Sequence, residues 1–144
     1  MTIPATKVPF DVEPTVGNHF SWVNTVLSLQ RTLMAAARTS VSLIGFGFTV
    51  AQFFEKMVDK VPDELRVLRP ESPRNLGLAL IGAGVISLAV FTWQYNVAIR
   101  ALRSGDFAPL AGDAGRLLLP PVYIVAGAVL LIGVAAFITI FMRL

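Results

Sequence analysis

Between residues 24 and 52 an otherwise apolar stretch is interrupted at one recurring set of positions. Asn24, Ser28, Arg31, Ala35, Arg38, Ser42, Gly45, Thr49 and Gln52 are all polar, charged or small, while Leu, Val, Ile, Phe, Met and Ala dominate elsewhere. Residues at i, i+4 and i+7 share one face of an α-helix. As a helix, the set extends over roughly 42 Å, the depth of a bilayer with its headgroups. The pattern predicts a membrane helix with one wet side. Such a side is unfavourable against lipid tails, so it is expected to face another helix, another subunit or water.

Two further stretches, 76–99 and 117–142, carry no charged residue, and each exceeds the ~20 residues a helix needs to cross hydrocarbon. The uncharged part of the first candidate, 39–54, is shorter and must borrow length from the turns that hold Arg31 and Arg38. The spans are therefore placed at about 33–57, 76–99 and 117–142. The expected fold is all-α: an integral membrane protein of three transmembrane helices in an antiparallel bundle, with residues 18–144 as its membrane domain. Three short helices cannot easily shield so long a polar face, so the bundle is expected to form a homo-oligomer with the first helix turned towards its interior.

Residues 1–17 contain Pro4, Pro9 and Pro14 and no apolar core, which predicts an extended tail rather than a signal or transit peptide. Asn18 or Ser21 can cap the first helix. That helix either runs unbroken to about Met57 or follows a short helix lying on the membrane surface. The connection 55–75, with Pro62, Pro70 and Pro73, reads as a solvated loop. The connection 100–116, with Gly105, Pro109, Gly112 and Gly115, reads as a tight irregular turn. Pro120 and Pro121 fall in the opening turn of the third span, where a missing N–H does least damage.

Composition agrees with this class: 55% of the 144 residues are hydrophobic, and the mean hydropathy is +0.69. The absence of cysteine excludes disulfides, thiolate metal sites and cysteine nucleophiles. The 12 lysines and arginines divide evenly between the two sides of a three-span topology, so charge counting gives no orientation. His19 is the single histidine, with no ligand-forming neighbour at metal spacing, and no metal or cofactor is expected. Nucleophile, paired carboxylates and phosphate-cradling loop are all missing, so no enzyme and no nucleic-acid partner is expected.

The arginines remain. Arg31 and Arg38 lie two helical turns apart on the striped face; Asn96, Arg100 and Arg103 continue one face at the exit of the second span, and Arg116 opens the third. Antiparallel neighbours should bring these five arginines together at one membrane boundary. The planar guanidinium suits multidentate recognition of phosphate or carboxylate, which points to an anion site or the mouth of an anion path. The alternative is that they snorkel to lipid phosphates and pair with Asp11, Glu13, Asp106 or Asp113. Asn24, Ser28, Ala35, Ser42, Gly45, Thr49 and Gln52 fit a pore lining and close helix packing equally well. Ala79, Ala83 and Ser87, together with Gly127 and Gly133, read as packing features, and Trp93 and Tyr95 as interface anchors.

The segment from Gln30 to Thr39, with Gly45-Phe46-Gly47-Phe48 after it, resembles the E-R-T-x-L-A-W-x-R-T signature of the YidH-like family. These are small three-span proteins of the bacterial inner membrane, grouped under a domain of unknown function. The same module resembles the small membrane subunit of the vacuolar transporter chaperone, whose first helices line a polyphosphate channel. Arg31, Thr32, Arg38 and Thr39 occupy signature positions, and Arg100 resembles the basic residue closing the family's second span. Gln30 stands where the signature has an acid, and Ala36 where it has an aromatic residue. The resemblance implies an inner-membrane location with a cytoplasmic N-terminus. It also implies partners among the lipid bilayer, further copies of the chain, and anionic lipid or phosphate-rich anions.

Overall fold

The computed structural model describes residues 11–58, 71–111 and 120–142. Helices α1 (Val16–Val58), α2 (Glu71–Arg103) and α4 (Pro120–Phe141) are joined on the α2–α4 side by a 3-10 turn over Gly105–Phe107 and the short α3 (Ala108–Ala111). α1, α2 and α4 are each long and apolar enough to cross a membrane.

α1 starts earlier than either cap expected from the sequence. Thr15 Oγ1 accepts the Asn18 N–H at 3.2 Å, and the Thr15 carbonyl accepts the His19 N–H at 2.9 Å. Thr15 is thus the N-cap. Ser21 lies inside the helix and donates its hydroxyl to the Gly17 carbonyl. With no proline inside it, α1 runs unbroken for 43 residues, about 64 Å. Among the described residues no separate surface helix precedes the span. α2 likewise extends past both expected ends, with Pro73 accommodated in its first turn, where the ring costs least.

One face of α1 carries Trp22, Val26, Leu33, Ala37, Ile44 and Ala51, all buried. It packs antiparallel on the α2 face formed by Ile81, Leu88, Tyr95 and Ile99. Glycines set how close the two helices come. A Cβ on Gly77 would stand 2.6 Å from the Gly47 carbonyl oxygen, and one on Gly84 would stand 3.0 Å from the Ser40 carbonyl oxygen. At the other end Trp22 Nε1 donates to the Leu102 carbonyl at 3.0 Å. These contacts pair Trp22 with Leu102, Ser40 with Gly84 and Gly47 with Gly77, one antiparallel register throughout. Arg31 is therefore level with Trp93, and Arg38 with Ile86.

α4 lies along both partners through Val122, Ala126, Gly133 and Ile140. A Cβ on Gly133 would meet Val85 and Ile44 within 2.8 Å, which places the middle of α4 beside the middle of α2. Its other sides expose Ile124, Leu131, Ile132 and Phe141, as α2 exposes Ile86, Val90 and Phe91. These are surfaces for lipid tails.

Several packing expectations are corrected. Ala79 and Ala83 are exposed and Gly127 has open space around it; Gly77 and Gly84, one helical face away, make the contact instead. Tyr95 is buried in the bundle rather than anchored at an interface, whereas Trp93 is exposed. The described part of the connection after α2, as far as Ala111, is regular rather than irregular, because Gly105 adopts φ 65° and lets the chain reverse into the 3-10 turn.

Candidate functional site

The nine stripe positions form the side of α1 that faces away from α2 and α4. Asn24, Ser28, Arg31, Ala35, Arg38, Ser42, Gly45 and Thr49 are exposed, and Gln52 is half-buried. The cause is periodic: the buried positions and the stripe both recur at three and four residues, displaced by about two, which is half a turn of helix. The described residues of a single copy leave the stripe exposed from Asn24 to Thr49.

The arginines do not gather at one boundary. Arg100 and Arg103, in the last turn of α2, are exposed near the end that Trp22 and Leu102 mark. Arg31 lies level with Trp93, about 10 Å deeper along α1, and Arg38 another 10 Å beyond it. Arg38 is thus within a few ångströms of the middle of the uncharged stretch 76–99. The α1 segment level with that stretch is 25–48, set towards the N-terminus of the 33–57 estimated from α1 alone. The close glycine contacts, rather than the alignment of charged ends, fix this offset. Arg116 lies outside the described residues.

Hydroxyls on and beside the stripe are satisfied within the helix. Thr32 donates to the Ser28 carbonyl at 3.1 Å, Thr39 to Ala35 at 3.1 Å, Ser42 to Arg38 at 3.1 Å and Thr49 to Gly45 at 2.9 Å. Each hydroxyl oxygen keeps lone pairs for a further donor. The guanidinium groups only donate and stay charged in proteins.

A second polar group, whose members the sequence did not relate to one another and of which Tyr123 was not singled out, ties the three spans together. Tyr123 of α4 donates to Asn96 Oδ1 of α2 at 2.7 Å, and its ring meets that of Tyr95 edge-on at 5.5 Å. Gln30 of α1 lies beside the Tyr95 hydroxyl. The signal available was weak: single polar residues in three different spans, with no spacing to relate them. Nearer the end of the bundle, His19 Nδ1 donates to the Leu110 carbonyl at 2.7 Å, fixing α3 against α1. Among the described residues no three potential metal ligands come together.

Two recesses are lined by described residues alone. One of about 370 Å³ lies between the start of α1 and the α2–α4 connection, lined by Asp11, Asn18, Ser21, Trp22, Thr25 and Phe107 among others. The other, about 180 Å³, is an apolar recess between α1 and α2 beside Thr32 and Tyr95. Neither is lined by an arginine. Arg31 and Arg38 stand instead on the exposed side of α1.

The profile of the "Domain of unknown function (DUF202)" family matches residues 21–101, from the aromatic start of α1 to the end of α2. Comparison with curated proteins and with solved structures returned no match.

Proposed function

The chain belongs to the DUF202 family, and from that premise we propose that it is a non-enzymatic, oligomeric membrane module in which α1 faces the assembly interior and its arginines bind or pass anions. One observation carries the reading: the α1 face holding Arg31 and Arg38 is uncovered in the protomer while level with the apolar stretch of α2. An arginine at the centre of a membrane helix is unfavourable by roughly 2.5–3.5 kcal/mol on insertion scales. Contact with lipid tails is the worst surroundings for it, and a wet or partnered interior relieves the penalty.

Along the helix the arginines make a ladder. In this reading Arg31 and Arg38 of α1 are the deeper rungs, and Arg100 and Arg103, in the last turn of α2, are the outer ones, where anionic headgroups or free anions arrive first. The expected setting is the inner membrane with a cytoplasmic N-terminus, and phosphate-rich anions suit the guanidinium fork. The test is anion flux and anion binding in liposomes reconstituted with Arg31→Ala/Arg38→Ala. Loss of both, with insertion intact, is expected; unchanged flux and binding in the double variant removes the proposal.

A second reading has an observation in its favour. Because Ser42, Thr49, Thr32 and Thr39 already bond to their own helix, much of the stripe can pack dry against another helix, as in an accessory subunit that transports nothing. Single cysteines along the stripe, in a chain with none of its own, separate the two. Periodic labelling by a membrane-impermeant thiol reagent supports the wet interior, and silence from Arg31 to Thr49 supports dry packing.

A further inference from the structure

Within the spans no carboxylate offsets the charge of Arg31 and Arg38. All nine carboxylates lie outside 14–54, 72–105 and 114–144, so no span contributes a single acid. Arg31 and Arg38 cannot shed their protons. The hydroxyls around them are neutral, and that of Ser42 is turned onto the carbonyl of Arg38 itself. Association through α1 therefore concentrates positive charge in the least polarisable layer of the assembly. Each added copy brings two more guanidinium groups and nothing to offset them.

The spacing says where that charge goes. The nine stripe positions alternate steps of four and three without exception from Asn24 to Gln52, a period of 3.5 rather than 3.6. That is the repeat of a seam between near-parallel helices wound left-handedly. Arg31 and Arg38 stand one full heptad apart, so in a symmetric assembly of parallel α1 helices each residue forms its own ring, the two rings about 10 Å apart. The small Ala35 lies between them and Gly45 beyond, with nothing within 4 Å of a Cβ built on Gly45, so the partner helix can approach closely.

We infer that oxyanion binding and self-assembly of this protein are one linked equilibrium. The α1 helices of several copies close around their stripes only with tetrahedral oxyanions of the phosphate class held between the arginine rings, which makes the anion a structural component of the assembly. The inference rests on the reading of α1 as the inward helix. It adds that the anion is required for closure and is not merely a passenger. By linkage, whatever the anion adds to assembly, assembly adds equally to anion affinity.

The experiment measures the mass of the full-length chain in a non-ionic detergent, by light scattering and native mass spectrometry, over a titration of inorganic phosphate and separately of phosphatidylglycerol. Wild type is expected to pass from protomer to a defined multiple as phosphate is added. A response to phosphatidylglycerol alone assigns the oxyanion to a lipid headgroup and upholds the inference. Arg31→Gln/Arg38→Gln is expected to assemble without either ligand and to lose the response altogether. Arg31→Lys/Arg38→Lys, which keeps the charge, is expected to retain the response with a midpoint at higher phosphate and serves as the check should the glutamine variant not fold. Wild type that assembles equally in the absence of every oxyanion overturns the linkage while leaving an α1-lined anion path standing. A chain that stays protomeric under all conditions overturns both.

Discussion

Gly47 and Gly77 face each other so closely that a Cβ on Gly77 would stand 2.6 Å from the Gly47 carbonyl oxygen, and one on Gly47 2.7 Å from that of Gly77. This reciprocal backbone contact holds α1 and α2 in the register that sets Arg38 level with Ile86, near the middle of the uncharged stretch of α2. Gly77→Ala is expected to lower the stability of the protomer by about 1–3 kcal/mol, since backbone cannot yield as a side-chain tip does. Urea or heat unfolding in micelles followed by circular dichroism reads the loss. Gly45→Ala, with open space around it, is the matched control and should leave the protomer within about 0.5 kcal/mol of wild type.

Ser40 is wholly buried at the α1–α2 contact, and its hydroxyl has no hydrogen-bond partner. An unsatisfied buried donor is a liability of about 1–3 kcal/mol. Ser40→Ala should therefore stabilise the protein, or at least not harm it, in the same unfolding measurement. A clear loss of stability would mean that the hydroxyl is engaged after all.

The bond from Tyr123 to Asn96 Oδ1 joins α4 to α2 inside the bundle. Tyr123→Phe keeps the ring contact with Tyr95 and removes only the hydroxyl, with an expected loss of about 0.5–1.5 kcal/mol. Asn96→Leu added to Tyr123→Phe should recover much of that loss, because replacing both partners leaves no stranded acceptor. A double-mutant cycle on these two positions gives the coupling.

Gly105 adopts φ 65°, a backbone conformation that side chains other than glycine's disfavour. Gly105→Ala is expected to destabilise the turn after α2 by about 1 kcal/mol. Amide hydrogen exchange should show the effect around the 3-10 turn and α3 first, since His19 and Trp22 hold that region to α1 by the single bonds to Leu110 and Leu102. Uniform acceleration over the whole of α1 would contradict this local account.

Widening the outer face separates protomer from assembly. Ser42→Leu adds bulk on a side that touches nothing within one copy, so the helicity and unfolding midpoint of the protomer should hardly change. Cross-linking yield between copies is expected to fall. Unchanged cross-linking would argue that this face is not the contact.

The linear pattern determined which segments are apolar enough to cross, that the helices are three, and that one of them carries a polar side, because hydrophobicity and helical period are local properties read residue by residue. It also placed Pro120 and Pro121 in a first turn, where α4 begins. What it could not determine was depth. The uncharged window of α1 is short, and reading it alone placed the span late, with Arg31 and Arg38 at the edge. Tertiary structure decides which residues of the two helices are level, Arg31 with Trp93 and Arg38 with Ile86, because the offset between antiparallel helices is chosen by where two backbones can touch, at Gly47 against Gly77 and Ser40 against Gly84. Nothing in the hydropathy of either helix records that choice. The same holds for Tyr95, whose aromatic ring suits an interface by type but whose position on the inner face of α2 buries it. Ala79 and Ala83 are small enough to pack, yet they stand on the wrong side of their helix. Residue type sets what a side chain tolerates, and packing geometry sets what it meets.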